Sequence, residues 1–199
     1  MRILSRFFGG EADVRRMRAF LSAARLDGSQ PGYWHVGDLL WRLYQNTIFD
    51  PFTSLRLWEK DDGELLGFVC YSPLEWVDVQ VHPRLRGNGL VEEQMLAWAE
   101  EYRLELPAKE DGTRSLQTGG LDIDPQRVAF LERHGFERIL PVFLRLRQGL
   151  GKTLGAAGLQ NFQRIFIILR QGNQEARLRG GSSGQIQFQL DACGWLALG

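Results

Sequence analysis

The sequence predicts an α/β fold, and three stretches carry that reading. In "EWVDVQV", residues 75 to 81, Trp76, Asp78 and Gln80 alternate with Val77, Val79 and Val81, the period of a strand with one apolar face. Shortly after it, Val91, Met95, Trp98 and Tyr102 recur at spacings of four, three and four, one stripe of a helix, with Glu92, Glu93 and Glu100 off that stripe. In "DPQRVAFLERHGFER", residues 124 to 138, Asp124 suits an N-cap, Pro125 the first helical position, His134 the C-terminal end and Gly135 the stop.

The remaining elements follow in order. "MRILSRFF" reads as a first strand. "EADVRRMRAFLSAARL" reads as a helix with Val14, Met17, Leu21 and Ala24 on one side and its arginines on a solvated face. "GYWHVGDLLWRLYQN" supplies a second helix with Asp38 near its start. "LRLWEKDDGELLGFVCY" is a hairpin turning at Asp61-Asp62-Gly63. After the helix over 91–102 comes the loop "LPAKEDGTR", and then a strand near "SLQTGGLDI".

Composition narrows the class. A chain of 199 residues with 44% hydrophobic content can bury one substantial core. No apolar run reaches membrane-span length, and "MRILSRFFGGEADVRRM" lacks the apolar core and cleavage site of a signal peptide. Cys70 and Cys193 have no metal-ligand spacing, so the plain expectation is a cytoplasmic protein with free thiols and no metal. Net charge is zero; residues 149–199 carry +3 and the remainder −3, too weak an imbalance for a nucleic-acid partner.

The turn in "HPRLRGNGLVEEQ", residues 82 to 94, concentrates the chemistry. Gly87 and Gly89 let the backbone bend, and they also remove the Cβ atoms that would keep a phosphate from the unpaired N–H groups opening the next helix. Arg84 and Arg86 add charge at the same place. Two other phosphate loops fail here. A dinucleotide G-x-G-x-x-G begun at Gly87 would need glycine where Glu92 stands, and the P-loop ending suggested by "GLGKT" (149–153) would need glycine where Leu146 stands.

What remains resembles the GNAT acetyltransferase family, whose Q/R-x-x-G-x-G/A signature follows a strand and opens a long helix. Arg84 to Gly89 matches it literally. The frame Arg86-Gly87-Asn88-Gly89-Leu90-Val91 fits the family's strand-end proline better, with Val91 standing where the family has Gly or Ala. The later capped helix and its Gly-Phe exit match in the same order, and the resemblance covers roughly residues 2 to 147. It implies a mixed central sheet flanked by helices, with acetyl-CoA as cofactor. The pyrophosphate would lie against the N–H groups of Arg86 to Val91, pantetheine along Val79, Gln80 and Val81, and Asp124 at the rim. Val91, in this frame, would face the cofactor.

The resemblance also implies direct attack of an amine, on a small molecule or on a protein, with a base near the strand that precedes the turn. Glu75 is the expected base; an exposed hairpin carboxylate is the plainer reading of the same residue. Asp78 points to the opposite face. Where the family often has a tyrosine as proton donor to the departing thiolate, this chain has Leu131. A catalytically silent domain that binds CoA or acyl-CoA is the alternative. His35, Tyr33, Trp34 and Trp41 lie where relatives take their acceptor, although the aromatics also suit a core. Domain boundaries are expected at 1–148 for the acetyltransferase unit and 149–199 for an extension. "FIILRQGNQEARLR" in that extension echoes the chain's opening, as the start of a truncated second copy would. Such a tail would borrow an apolar surface from residues 1 to 147 or from a second chain, which puts a homodimer among the expected arrangements.

Overall fold

In the computed structural model, the described residues are 2–28, 31–45, 50–72, 75–87, 89–110, 112–138, and, as backbone, 139–146 and 162–172. The elements are β1 (Ile3–Phe7), α1 (Glu11–Asp27), α2 (Val36–Tyr44), α3 (Pro51–Ser54), β2 (Leu55–Lys60), β3 (Leu65–Ser72), β4 (Trp76–Val81), α4 (Leu90–Glu105), β5 (Arg114–Leu121), α5 (Pro125–Arg133), β6 (Glu137–Leu146) and β7 (Phe162–Gly172). The strands form one mixed sheet in the order β1-β2-β3-β4-β5-β7-β6. No helix among the described residues is long and apolar enough to cross a membrane.

Two apolar cores cover the two faces of the sheet. Val14, Met17, Leu21 and Ala24 of α1 bury their predicted stripe against Leu55, Leu57, Phe68 and Cys70. On the other face Val91, Met95, Leu96 and Trp98 of α4 pack on Val77, Val79 and Val81, joined by Val128, Phe130 and Leu131 of α5. Alternation along β4 therefore assigns its valines to the α4 side, while Asp78 and Gln80 lie across from Cys70 and Phe68 on the α1–α2 side. The β2–β3 hairpin turns at Asp61-Asp62, with Gly63 at φ +86°.

The sheet does not stop at the boundary expected near 148. Residues 162–172, read from sequence as the opening of a second copy, form β7 and lie antiparallel between β5 and β6, from Arg114 opposite Gly172 to Leu121 opposite Ile165. An all-apolar run such as Ile165 to Leu169 fits an interior strand with both faces covered. The "GLGKT" stretch, the rest of the tail from 173 to 199 and Cys193 lie outside the described residues.

Candidate functional site

β4 and β5 are the parallel pair, and they meet only briefly. Their register consists of Trp76 opposite Gln117, supported by the Gln117 N–H donating to the Glu75 carbonyl at 2.7 Å. Past that point β5 continues along β7 alone, so a wedge opens between β4 and β5 toward the glycine turn. His82 N–H donates to Leu66 of β3, so the even-numbered peptide groups of β4 serve β3. By alternation those of Val79 and Val81 face the wedge. The Val81 carbonyl accepts the buried Tyr33 hydroxyl at 2.6 Å. Burial pushes that phenol up to about 12.

At the wide end, Gly87 and Gly89 take φ of +79° and +84°, conformations that favour glycine. The first intrahelical bond of α4 runs from Glu93 N–H to the Gly89 carbonyl, which leaves the N–H groups of Leu90 and Val91 at the open helix end. Asn88 lies outside the described residues. Leu90 is exposed beside the turn.

Several predicted site residues do other work. The Arg86 guanidinium turns inward. It donates to the Pro31 carbonyl at 2.5 Å, pairs with Asp124 at 3.2 Å and lies over the Tyr33 ring at 5.0 Å. The exposed guanidinium of the turn is that of Arg84. Asp124 is buried, and it caps α5 by accepting the Arg127 N–H at 3.1 Å. Val91 faces the core and not the cofactor side: it is 0% exposed among the α4 and α5 side chains. Glu92, expected off the apolar stripe, is also buried, with Oε2 accepting the Gly87 N–H at 2.7 Å.

Glu75 is not the exposed hairpin carboxylate of the plainer reading, nor is it at the open end of the wedge. It sits at the closed end, is 8% exposed, and takes φ +66°, an uncommon conformation for a residue with a side chain. Its carboxylate receives Arg103, the Ser115 hydroxyl and, at 2.7 Å, Lys109. Burial alone would raise this carboxyl, but the bonds from Lys109, Ser115 and Arg103 outweigh it and hold it below the ordinary range. A carboxylate so held is a weak proton acceptor.

Asp78 has the opposite environment. It lies mid-strand on the α1–α2 face, accepts the Trp76 indole N–H at 2.8 Å and pairs with Arg42 at 3.2 Å. Burial pushes its carboxyl up, against the lowering pull of Arg42. Arg42 also lies over Trp34, 4.7 Å from the ring centroid. In the sequence Asp78 is one of two polar residues, with Gln80, that alternate against the strand's valines. His35 serves α2 as its cap, Nδ1 accepting the Gly37 N–H at 3.0 Å, and the His134 ring lies against the Phe130 carbonyl at 2.8 Å. Leu131 is buried in the core.

The fold has counterparts among solved structures. A GCN5-related N-acetyltransferase from Sphaerobacter thermophilus matches at 23% identity and TM-score 0.53, over 69% of this chain and 44% of its own. The S18-alanine N-acetyltransferase of Escherichia coli matches at 11% identity and TM-score 0.56, over 94% and 100%. Salmonella typhimurium yncA, solved with its cofactor acetyl-CoA, matches at 15% identity and TM-score 0.56, over 87% and 96%. The chain has the GNAT N-acetyltransferase fold. It spans less than half the length of the Sphaerobacter chain. No family model and no curated protein matches the sequence.

Proposed function

We propose that this chain binds acetyl-CoA in the β4–β5 wedge and transfers the acetyl group to an amine. The observation that carries the reading is the wedge itself: a parallel pair joined at Trp76 and Gln117, opening toward a positive-φ glycine turn at the head of a 16-residue helix. A ligand of matching shape would lay its pantetheine along the wedge-facing edge of Val79 to Val81, where the Val81 carbonyl already accepts the Tyr33 hydroxyl. Its phosphates would lie near Gly87 to Val91, where the open helix end at Leu90 and Val91 and the helix dipole favour an anion.

Asp78 is the base this geometry favours. The amine nitrogen attacks the thioester carbonyl, forming the C–N bond as the C–S bond breaks. Its proton passes to Asp78, and the thiolate leaves as coenzyme A. A carboxyl with a raised pKa accepts a proton more readily than one held down by three donors, which separates Asp78 from Glu75. The acceptor, a small-molecule or protein amine, would approach over the face bearing Trp34 and Arg42.

The buried aliphatic Leu131 favours a second reading, a domain that binds CoA or acyl-CoA without turnover, because it offers no proton to a departing thiolate. Calorimetry with acetyl-CoA, followed by a panel of amines assayed for free thiol, separates the two. Heat of binding with thiol release in the presence of one amine supports transfer. Binding without release for any amine supports the silent domain, and the absence of binding rejects both.

A further inference from the structure

The glycine turn already holds an anion, and that anion belongs to the chain. Glu92 stands in the first turn of α4, is 1% exposed, and brings Oε2 to 2.7 Å from the Gly87 nitrogen. Its other oxygen, Oε1, has no hydrogen-bond partner among the described residues. Burying a half-satisfied carboxylate is costly. What offsets the cost here is the open helix end with its dipole, together with the guanidinium of Arg127, which both Glu92 and Asp124 act on electrostatically.

We propose that Glu92 is the resident occupant of the turn's anion seat, and that a phosphate-bearing ligand binds by displacing its carboxylate. The proposal deepens the CoA reading and rests on it for the identity of the ligand. An arriving pyrophosphate meets a like charge, and it gains the Gly87 N–H only once the Glu92 side chain has rotated away. Glu92 then sets how tightly the turn holds any phosphate. Glu93 also stands at the turn: its Oε1 would lie 2.9 Å from a Cβ built on Gly89. It is exposed, however, which makes it the control for a general charge effect.

The test is calorimetry at low ionic strength with two probes, CoA and inorganic pyrophosphate. The proteins are the wild type, Glu92→Gln, Glu92→Ala and Glu93→Gln. Freeing the seat should tighten CoA binding about tenfold or more in both Glu92 variants, the scale of one charge-assisted hydrogen bond regained by the ligand, with a smaller change in Glu93→Gln. Equal CoA affinity in wild type and Glu92→Gln overturns the proposal and leaves the CoA reading standing. If no protein binds CoA but the Glu92 variants take pyrophosphate and the wild type does not, the CoA reading fails and the proposal holds. Binding of neither probe by folded Glu92 variants overturns both. Should the variants fail to fold, amide exchange of the wild type decides: a protected Gly87 N–H supports the proposal, and one exchanging as fast as an open loop overturns it.

Discussion

Glu75 and Arg103 form an ion pair across the closed end of the wedge, linking the start of β4 to the last turn of α4. Both side chains are buried, and Arg103 also donates to the carbonyls of Ser115 at 3.1 Å and Pro107 at 2.9 Å. One carboxylate thus ties together β4, α4, β5 and the loop that joins the last two. Removing it leaves a guanidinium buried without its counter-charge, and breaking a buried pair costs about 3–5 kcal/mol.

Glu75→Gln should therefore lower stability by about that amount, read from denaturant midpoints. The sign with pH follows from its depressed carboxyl. The stabilisation is fully present above the ordinary value of 4.5 and is lost as pH falls through the lower folded value. The variant should lack that acid-dependent segment. A variant as stable as the wild type, with turnover abolished, would return Glu75 to the role of base.

Asp78 predicts the reverse combination. Its raised carboxyl stabilises the fold only at low pH, and that contribution is lost as pH rises through the folded value. At neutral pH Asp78→Asn should leave the melting temperature unchanged or higher while lowering kcat by about 10²–10⁴-fold. The wild-type rate should rise with pH through a group titrating above the ordinary 3.8, and the variant should lose that limb. Unaltered turnover in Asp78→Asn would remove it from the mechanism.

β7 makes the third prediction. Among the described strands β6 pairs with β7, and β7 is the partner that continues along β5 beyond the wedge. A chain ended at Arg147 would leave β6 without its partner and β5 with a long open edge, a template for aggregation. It should lose its cooperative melting transition or self-associate. A monomer of undiminished melting temperature would show the sheet to be complete without β7.

How much of this could be read from the sequence depends on the range of the interaction involved. The α1 stripe, the hairpin at Asp61-Asp62-Gly63 and the caps of α5 are set within a few residues, and the local periods and turn chemistry reveal them. The Arg-Gly-x-Gly turn was legible for the same reason. The three partners of Glu75 lie 28 to 40 residues away, so no local pattern reports that its carboxylate is saturated. Glu92 misleads in another way. Helical spacing puts it off the core stripe, but the turn folds its Gly87 N–H onto that side chain and buries it. The apolar run at 165–169 shows a strand, yet nothing local says that its neighbours are β5 and β6 and not a second domain.

The two arginines of the turn make the last prediction, because the sequence gives them equal claims on a phosphate and the structure does not. The Arg86 side chain is 4% exposed and is committed to Asp124, Pro31 and the Tyr33 ring, whereas Arg84 is exposed to solvent. Arg86→Ala would strand Asp124, a buried N-cap carboxylate whose Oδ2 makes no hydrogen bond and faces the Arg86 guanidinium at 3.2 Å. Its main effect should be a loss of about 3–5 kcal/mol of stability. Arg84→Ala should leave melting unchanged and weaken CoA binding by about 1 kcal/mol, the lower end for a charged contact because water screens it. The same exposure makes the Arg84 contribution sensitive to salt: raising ionic strength should reduce wild-type affinity toward that of the variant. Parallel melting and calorimetry on the two variants check the division. Weaker binding in a fully stable Arg86→Ala protein, with Arg84→Ala unaffected, would show that the Arg86 side chain turns outward to meet the ligand.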